Sequence, residues 1–135
     1  MYKSILVPIS FDENRQADQA MEVAKVLCDD DGRITLLHVM EQAPGYAVSY
    51  LPADYIEKSR AAIAAELDKL AARIRGAQGK VVSGHSARTI LDYAEDNKND
   101  LIVIASHRPG MQDLLLGSTA TSVVRHARCA VHVIR

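Results

Sequence analysis

The sequence has no tryptophan, a single phenylalanine and only two cysteines. With so few aromatic rings, a core has to be assembled from Ile, Leu, Val and Ala. Cys28 and Cys129 give no metal-ligand or redox spacing. One falls in an amphipathic segment and the other beside an apolar run, so both read as buried free thiols rather than a disulfide. Charge of either sign is also scarce in net terms: 16 Lys and Arg face 17 Asp and Glu, a balance of −1. That balance excludes a broad electrostatic attraction to nucleic acid or to an anionic membrane. Long apolar runs are missing as well. The first, "SILVPI", is too short for a signal-peptide core or a membrane span. The expectation is a cytoplasmic protein with neither nucleic-acid nor membrane partners, in which residues 1–135 form a single domain large enough to bury a core.

What is present is an alternation. Short apolar runs rich in β-branched residues occur at 4–9 ("SILVPI"), 34–40 ("ITLLHVM"), 101–106 ("LIVIAS") and 130–135 ("AVHVIR"), with a weaker one, "KVVSG", at 80–84. The first and fourth of these strands are almost continuously apolar, as parallel strands covered on both faces must be. Helical spacing separates them. It is carried by Ala17, Ala20, Met21, Ala24, Leu27 and Cys28, then by Ile63, Leu67, Leu70 and Ile74. Ala87, Ile90, Leu91 and Ala94 follow, and lastly Ala120, Val123, Val124 and Ala127. Ser10 to Glu13 and Asp54 to Glu57 have the form of capping boxes. "DDDGR" at 29–33 reads as a helix exit with Gly32 in the turn. "EQAPGYAVSYLPA" at 41–53 is the longest connection without periodicity.

Strands alternating with helices predict an α/β fold: an open five-stranded parallel sheet with helices on both faces. The order 2-1-3-4-5 is common for such sheets, and 3-2-1-4-5 is its rival. Only the rival makes strands 1 and 4 neighbours and puts the topological switch between their carboxyl ends, where ligands bind. It would bring "PISFDEN" (8–14) beside "SHRPG" (106–110).

The last helix begins Ser118, Thr119, Ala120, Thr121, Ser122, with hydroxyls and no carboxylate, whereas the earlier helices start near Asp12 and Glu13 or Asp54 and Glu57. Free N–H groups and the positive dipole end suit an external anion, and Gly117 lets a phosphate approach the backbone. The plainer reading is Ser118 as an N-cap after a turn glycine. There is no Gly-Lys-Ser/Thr phosphate loop and no G-x-G-x-x-G fingerprint.

The segment "DLIVIASHRP…LLLGSTATSVVRHARCAVHVIR" resembles the universal stress protein family, and the likeness runs from "ILVPIS" to the last residue. The resemblance implies a 3-2-1-4-5, Rossmann-like sheet and ATP binding at the carboxyl ends of strands 1 and 4, with or without Mg2+. Position by position it implies nucleotide contacts at Pro8, Ile9 and Ser10, at Val39 for the adenine, and at Ala105, Ser106, His107, Arg108, Gly110, Gly117, Ser118 and Thr119 along the phosphate loop. Arg108 would neutralise phosphate through forked hydrogen bonds. Ser10 stands where binding members often carry Asp, Ala105 replaces the first loop glycine, and the loop is one residue shorter. Ser10 also reads as a simple helix cap, and Asp12 is the one candidate for an accompanying metal. The histidines show no metal spacing: His38 and His132 read as packed or edge residues in strands, His85 and His126 as surface or helix-end residues.

No residue is assigned a catalytic role; weak ATP hydrolysis or self-phosphorylation is the most the resemblance allows. The alternative is a family member acting only through protein contacts, without nucleotide. A phosphotransfer receiver lacks its acceptor Asp in "KVVSGHS", and a flavodoxin-like site lacks hydroxyls in "SFDENR". The final strand, bearing Val131, Val133 and Ile134, would lie at an open sheet edge, which invites a homodimer.

Overall fold

A computed structural model describes residues 1–11, 14–42, 44–106 and 117–135, and of residues 14 and 15 the backbone alone. In chain order the elements are β1 (Tyr2–Pro8), α1 (Asn14–Leu27), β2 (Cys28–Met40), α2 (Gly45–Val48), α3 (Tyr55–Ala71), β3 (Ala77–Ser83), α4 (Ser86–Asp96), β4 (Leu101–Ala105), α5 (Ser118–His126) and β5 (Ala130–Ile134). The strands form one sheet in the order β3-β2-β1-β4-β5, and every neighbouring pair is parallel. This is the expected order, with β1 in the middle.

Strand alternation divides the core into two layers. Ile5 and Val7 of β1 point to one face, where they join Ile34, Leu36 and Val103 beneath α1 and α3 residues such as Met21, Ala24 and Leu67. Leu6 points to the other, with Leu37, Ile102 and Ile104 beneath Ile90 and Ala94 of α4 and Ala120 and Val123 of α5. Both faces of the central strands are therefore covered, which is why their sequences read as unbroken apolar runs. At the amino ends of the central strands, the Asp100 carboxylate accepts the Lys3 and Ser4 backbone N–H groups at 2.9 and 3.0 Å, just before β1 and β4 begin to pair.

Several local expectations are corrected. "DDDGR" is not a helix exit: α1 stops at Leu27, Cys28 opens β2, and the strand runs through to Met40. Its register against β1 shifts between Tyr2↔Cys28 and Ser4↔Arg33, a bulge that absorbs the extra acidic residues. Gly32 is needed there for closeness, since a Cβ would stand 2.5 Å from Cys28 Sγ and 3.2 Å from the Lys3 carbonyl oxygen. Asp54 does occupy the N-cap of α3, but its side chain makes no cap hydrogen bond and instead pairs with Lys58 Nζ at 2.8 Å. The connection at 41–53 contains the short helix α2. Val124 faces solvent, 45 % exposed, because the packed stripe of α5 passes through Ala120 and Val123. The capping box expected from Ser10 to Glu13 falls on residues 12 and 13, outside the described residues. Both cysteines are free, as expected, but half-buried rather than buried, and partial burial pushes each thiol above its ordinary pKa.

Candidate functional site

From β1 the chain moves to β2 and β3 on one side of the sheet and returns to β4 and β5 on the other. The carboxyl ends of β1, β2 and β4 are left flanking a crevice, the usual ligand position in an open α/β sheet. A cavity of about 670 Å³ opens there, within the size range of small-molecule sites. Pro8, Ile9 and Ser10 enter it from β1, Val39 from β2, Ala105 and Ser106 from β4, and Gly117 and Thr119 from the start of α5. Its apolar walls include Ala17 and Ala20 of α1, Ile90 of α4 and Ala120 of α5. The strand ends are held by backbone hydrogen bonds, Ile9 N to Leu37 O at 2.8 Å and Ser106 N to Ile134 O at 2.9 Å.

The structure thus collects residues that lie far apart in the chain. Ser118 is an exception: it is exposed, is the first helical residue, and is not among those lining the cavity. The N-cap is Gly117 rather than the expected Ser118; its backbone is extended (φ −61°, ψ 158°), and no side chain caps the helix. The glycine takes the role because its carbonyl already accepts the first helical bond, from Thr121 N at 2.9 Å. His107, Arg108, Gly110 and Asp12 lie outside the described residues. Among the described residues no group of three or more His, Cys, Asp or Glu could hold a metal ion.

The missing carboxylate at α5 has an unexpected parallel. The first turn of α5 contains no acidic residue and its last turn holds Arg125 and His126. Yet the first turns of α1, which starts at Asn14 rather than near Asp12 and Glu13, and of α4 also lack acid, while α3 carries Glu57 there. At α4 the carboxylate comes from another element: Glu41, just after β2, accepts a hydrogen bond from Ser86 Oγ at 2.7 Å. Both residues line the cavity, and neither stands out in the sequence. The available signal is an acidic residue immediately beyond the last apolar position of a strand whose carboxyl end faces a crevice. His38, expected only to pack, also lines the cavity. Its Nδ1 donates to the Ile9 carbonyl at 2.8 Å, and its ring lies against Phe11 with centroids 5.2 Å apart. That bond fixes the tautomer of the neutral ring and leaves Nε2 as an acceptor.

Chemically, the cavity combines apolar walls, hydroxyls, an uncapped helix N-terminus and one carboxylate among its described lining residues. Such a set can orient a ligand by its two ends.

The model of the universal stress protein family matches residues 1–135. Universal stress protein G of Salmonella typhimurium is 31% identical over 142 residues, covering 100% of both chains. Universal stress protein A homolog 2 of Coxiella burnetii is 28% identical, over 99% of this chain and 95% of its own. Among solved structures, protein MJ0577 aligns with a TM-score of 0.82 at 26% identity, covering 99% of this chain and 96% of that one. A universal stress protein in complex with cAMP aligns at 0.70 with 19% identity, covering 99% and 97% of the two chains. A family protein from Arabidopsis thaliana with AMP bound aligns at 0.63 with 17% identity, covering 98% and 90%. These last two likenesses speak for the fold. With its whole length matched by the family model, and with relatives matched end to end, this chain belongs to the universal stress protein family.

Proposed function

We propose that this chain is a single-domain stress-response regulator that binds ATP or a related adenine nucleotide at the carboxyl ends of β1 and β4. One observation carries the reading. Pro8, Ile9, Ser10, Val39, Ala105, Ser106, Gly117 and Thr119, grouped by the family resemblance, surround one cavity of nucleotide size. The phosphates would rest on the N-terminus of α5, which has neither a side-chain cap nor an acid of its own. The adenine would lie near Val39. Mg2+ would accompany the phosphates; Asp12, the one candidate to hold it, lies outside the described residues. That two structural neighbours hold cAMP and AMP supports an adenine nucleotide as the ligand class.

The test is unfolding by heat or urea with and without Mg-ATP. At about 100 times its dissociation constant, ATP is expected to add roughly 2.7 kcal/mol to stability. The absence of any shift at millimolar ATP favours a member that works through protein contacts alone, a reading to which Ser10 and Ala105, in place of Asp and Gly, would then point.

The same proposal includes a homodimer through β5. The sheet has two edges, and they differ. On β3, Arg60 of α3 donates from Nη1 to the Val81 carbonyl at 3.2 Å and from Nη2 to Ser83 Oγ. Gly76 O and Gly84 N bond toward β2, so by alternation Val81 O points outward, and Arg60 blocks that edge. On β5, Ile134 O bonds to Ser106 of the loop after β4, so Val131 and Val133 present their backbone groups to the side where no described strand pairs. Ile134, expected to share the contact, is buried in the α1-side core with its carbonyl already used. A proline at position 133 removes one outward N–H and spares the pairing with β4. Val133→Pro is therefore expected to sediment as a folded monomer at micromolar concentration where the wild type sediments as a dimer. A dimer that survives this change uses another surface.

A further inference from the structure

Pairing of β5 with a second copy of itself has a register that the strand dictates. Two identical edges joined by a twofold axis run antiparallel. Ile134 O bonds to Ser106 N, so by alternation Ala130, His132 and Ile134 turn their backbone groups toward β4, and Val131 and Val133 turn theirs away. A twofold centred on His132 pairs every residue of Ala130–Ile134. It sets Val131 against the partner's Val133, twice over, so four half-buried apolar side chains cover one another on the α5 side. Centring on Val131 or Val133 leaves two residues of the strand without a strand partner. On the other face, His132 then meets the partner's His132 across the axis. Its backbone groups are turned away from the partner, and antiparallel pairs of that kind bring their Cα atoms closest, to about 4.5 Å.

We propose that β5 dimerises antiparallel about His132, and that the two facing imidazoles make the dimer loosen in acid. This rests on the β5 dimer proposed above. Imidazole changes charge between about pH 5 and 8. The first proton on the pair meets no opposing charge, but a second puts two cations face to face. Two separate chains therefore bind protons more readily than the dimer, and falling pH favours separation. No described charge lies beside the pair to offset this. His132 is exposed on the α1 side of the sheet, next to Val103, its register partner on β4. Ala130 and Ile134 flank it in each copy, and Arg135 falls by alternation on the valine face. On α1, Asp18, Glu22 and Lys25 share one flank by their spacing. Asp18 pairs with Arg73, just past α3, at 3.5 Å, and α3 packs on β2 and β3, so that flank faces away from β5. The flank toward β5 carries Gln16, Gln19 and Val23, none of them charged.

Sedimentation equilibrium of the wild type and of His132→Gln at pH 8 and pH 5 tests the charge, and His132→Cys tests the register. The wild-type dimer is expected to bind roughly fivefold more weakly at pH 5, given about tenfold repulsion between two cations at this separation. His132→Gln, whose side chain takes up no proton, should change by less than about twofold. Because His132 is exposed, both variants are expected to fold. Under mild oxidation at pH 8, His132→Cys should become a covalent dimer, since a Cα separation of about 4.5 Å suits a disulfide. The wild type, with Cys28 and Cys129 alone, should not, and neither should Val131→Cys, which meets a valine. A dissociation constant equal at both pH values, the same loss in His132→Gln, or no disulfide in His132→Cys each overturns the inference while leaving a β5 dimer in another register standing. A wild type that is monomeric at pH 8, or a dimer that survives Val133→Pro, overturns both.

Discussion

Replacing Gly117 with Val is expected to remove the stabilisation by Mg-ATP while leaving the fold, and any dimer, unchanged. Gly117 has an extended backbone that any residue can adopt, so the substitution imposes no conformational strain. It is buried and lines the cavity as the N-cap of α5. A valine side chain there would stand in front of the N–H groups on which a phosphate is proposed to rest. Loss of close backbone approach, together with the filled space, should weaken binding by at least a hundredfold, about 2.7 kcal/mol. Unfolding without ligand should shift little by comparison. A thermal-shift titration of both proteins checks this; equal ATP affinity would mean that the phosphates lie elsewhere in the cavity.

The largest expected effect on stability is at Gly79, far from the site. It sits in β3 beneath α3, where a Cβ would stand 2.7 Å from Leu67 Cβ and 3.3 Å from the Leu67 backbone carbonyl carbon. Leu67 is fully buried and cannot turn aside. Helix and strand approach so closely only because the strand has no side chain at that point. Gly79→Val should force them apart and cost about 2–3 kcal/mol, with a fall in Tm of roughly 6–10 °C. Gly45, the first residue of α2, has nothing within 4 Å of the corresponding position, so Gly45→Ala should leave the urea midpoint nearly unchanged. A Gly79→Val protein as stable as the wild type would show that α3 does not pack on β3 in this way.

How legible each part is depends on how far its causes lie along the chain. β1, β2 and β4 announce themselves because both faces of each are buried, and burial on both faces requires an unbroken apolar run. "KVVSG" reads weakly because β3 is an edge strand whose burial alternates, giving only half the apolar signal. Helix stripes hold where a helix packs on the sheet and fail at Val124, because a stripe read from spacing does not show its own width. The acidic stretch "DDDGR" misleads because acid followed by glycine is the local pattern of a turn. What holds it in β2 is pairing with β1, a contact between residues such as Tyr2 and Cys28.

The site divides the same way. Gly117 and the acid-free helix after it form a local pattern, visible in a few consecutive residues. The positions in β1, β2 and β4 become a set through the family resemblance and through the topological switch. Glu41, Ser86 and His38 cannot be found by spacing at all. Ser86 meets Glu41 across 45 residues, and His38 reaches Ile9 across 29, by the accident of which strand ends lie side by side. The chain's own letters determined the class of fold, the content of its core and the helix end suited to an anion, because each follows from short-range periodicity and local charge. Only the tertiary structure decided that Arg60 covers the β3 edge and that the Glu41 carboxylate faces the cavity, because each is a contact between residues far apart in the chain.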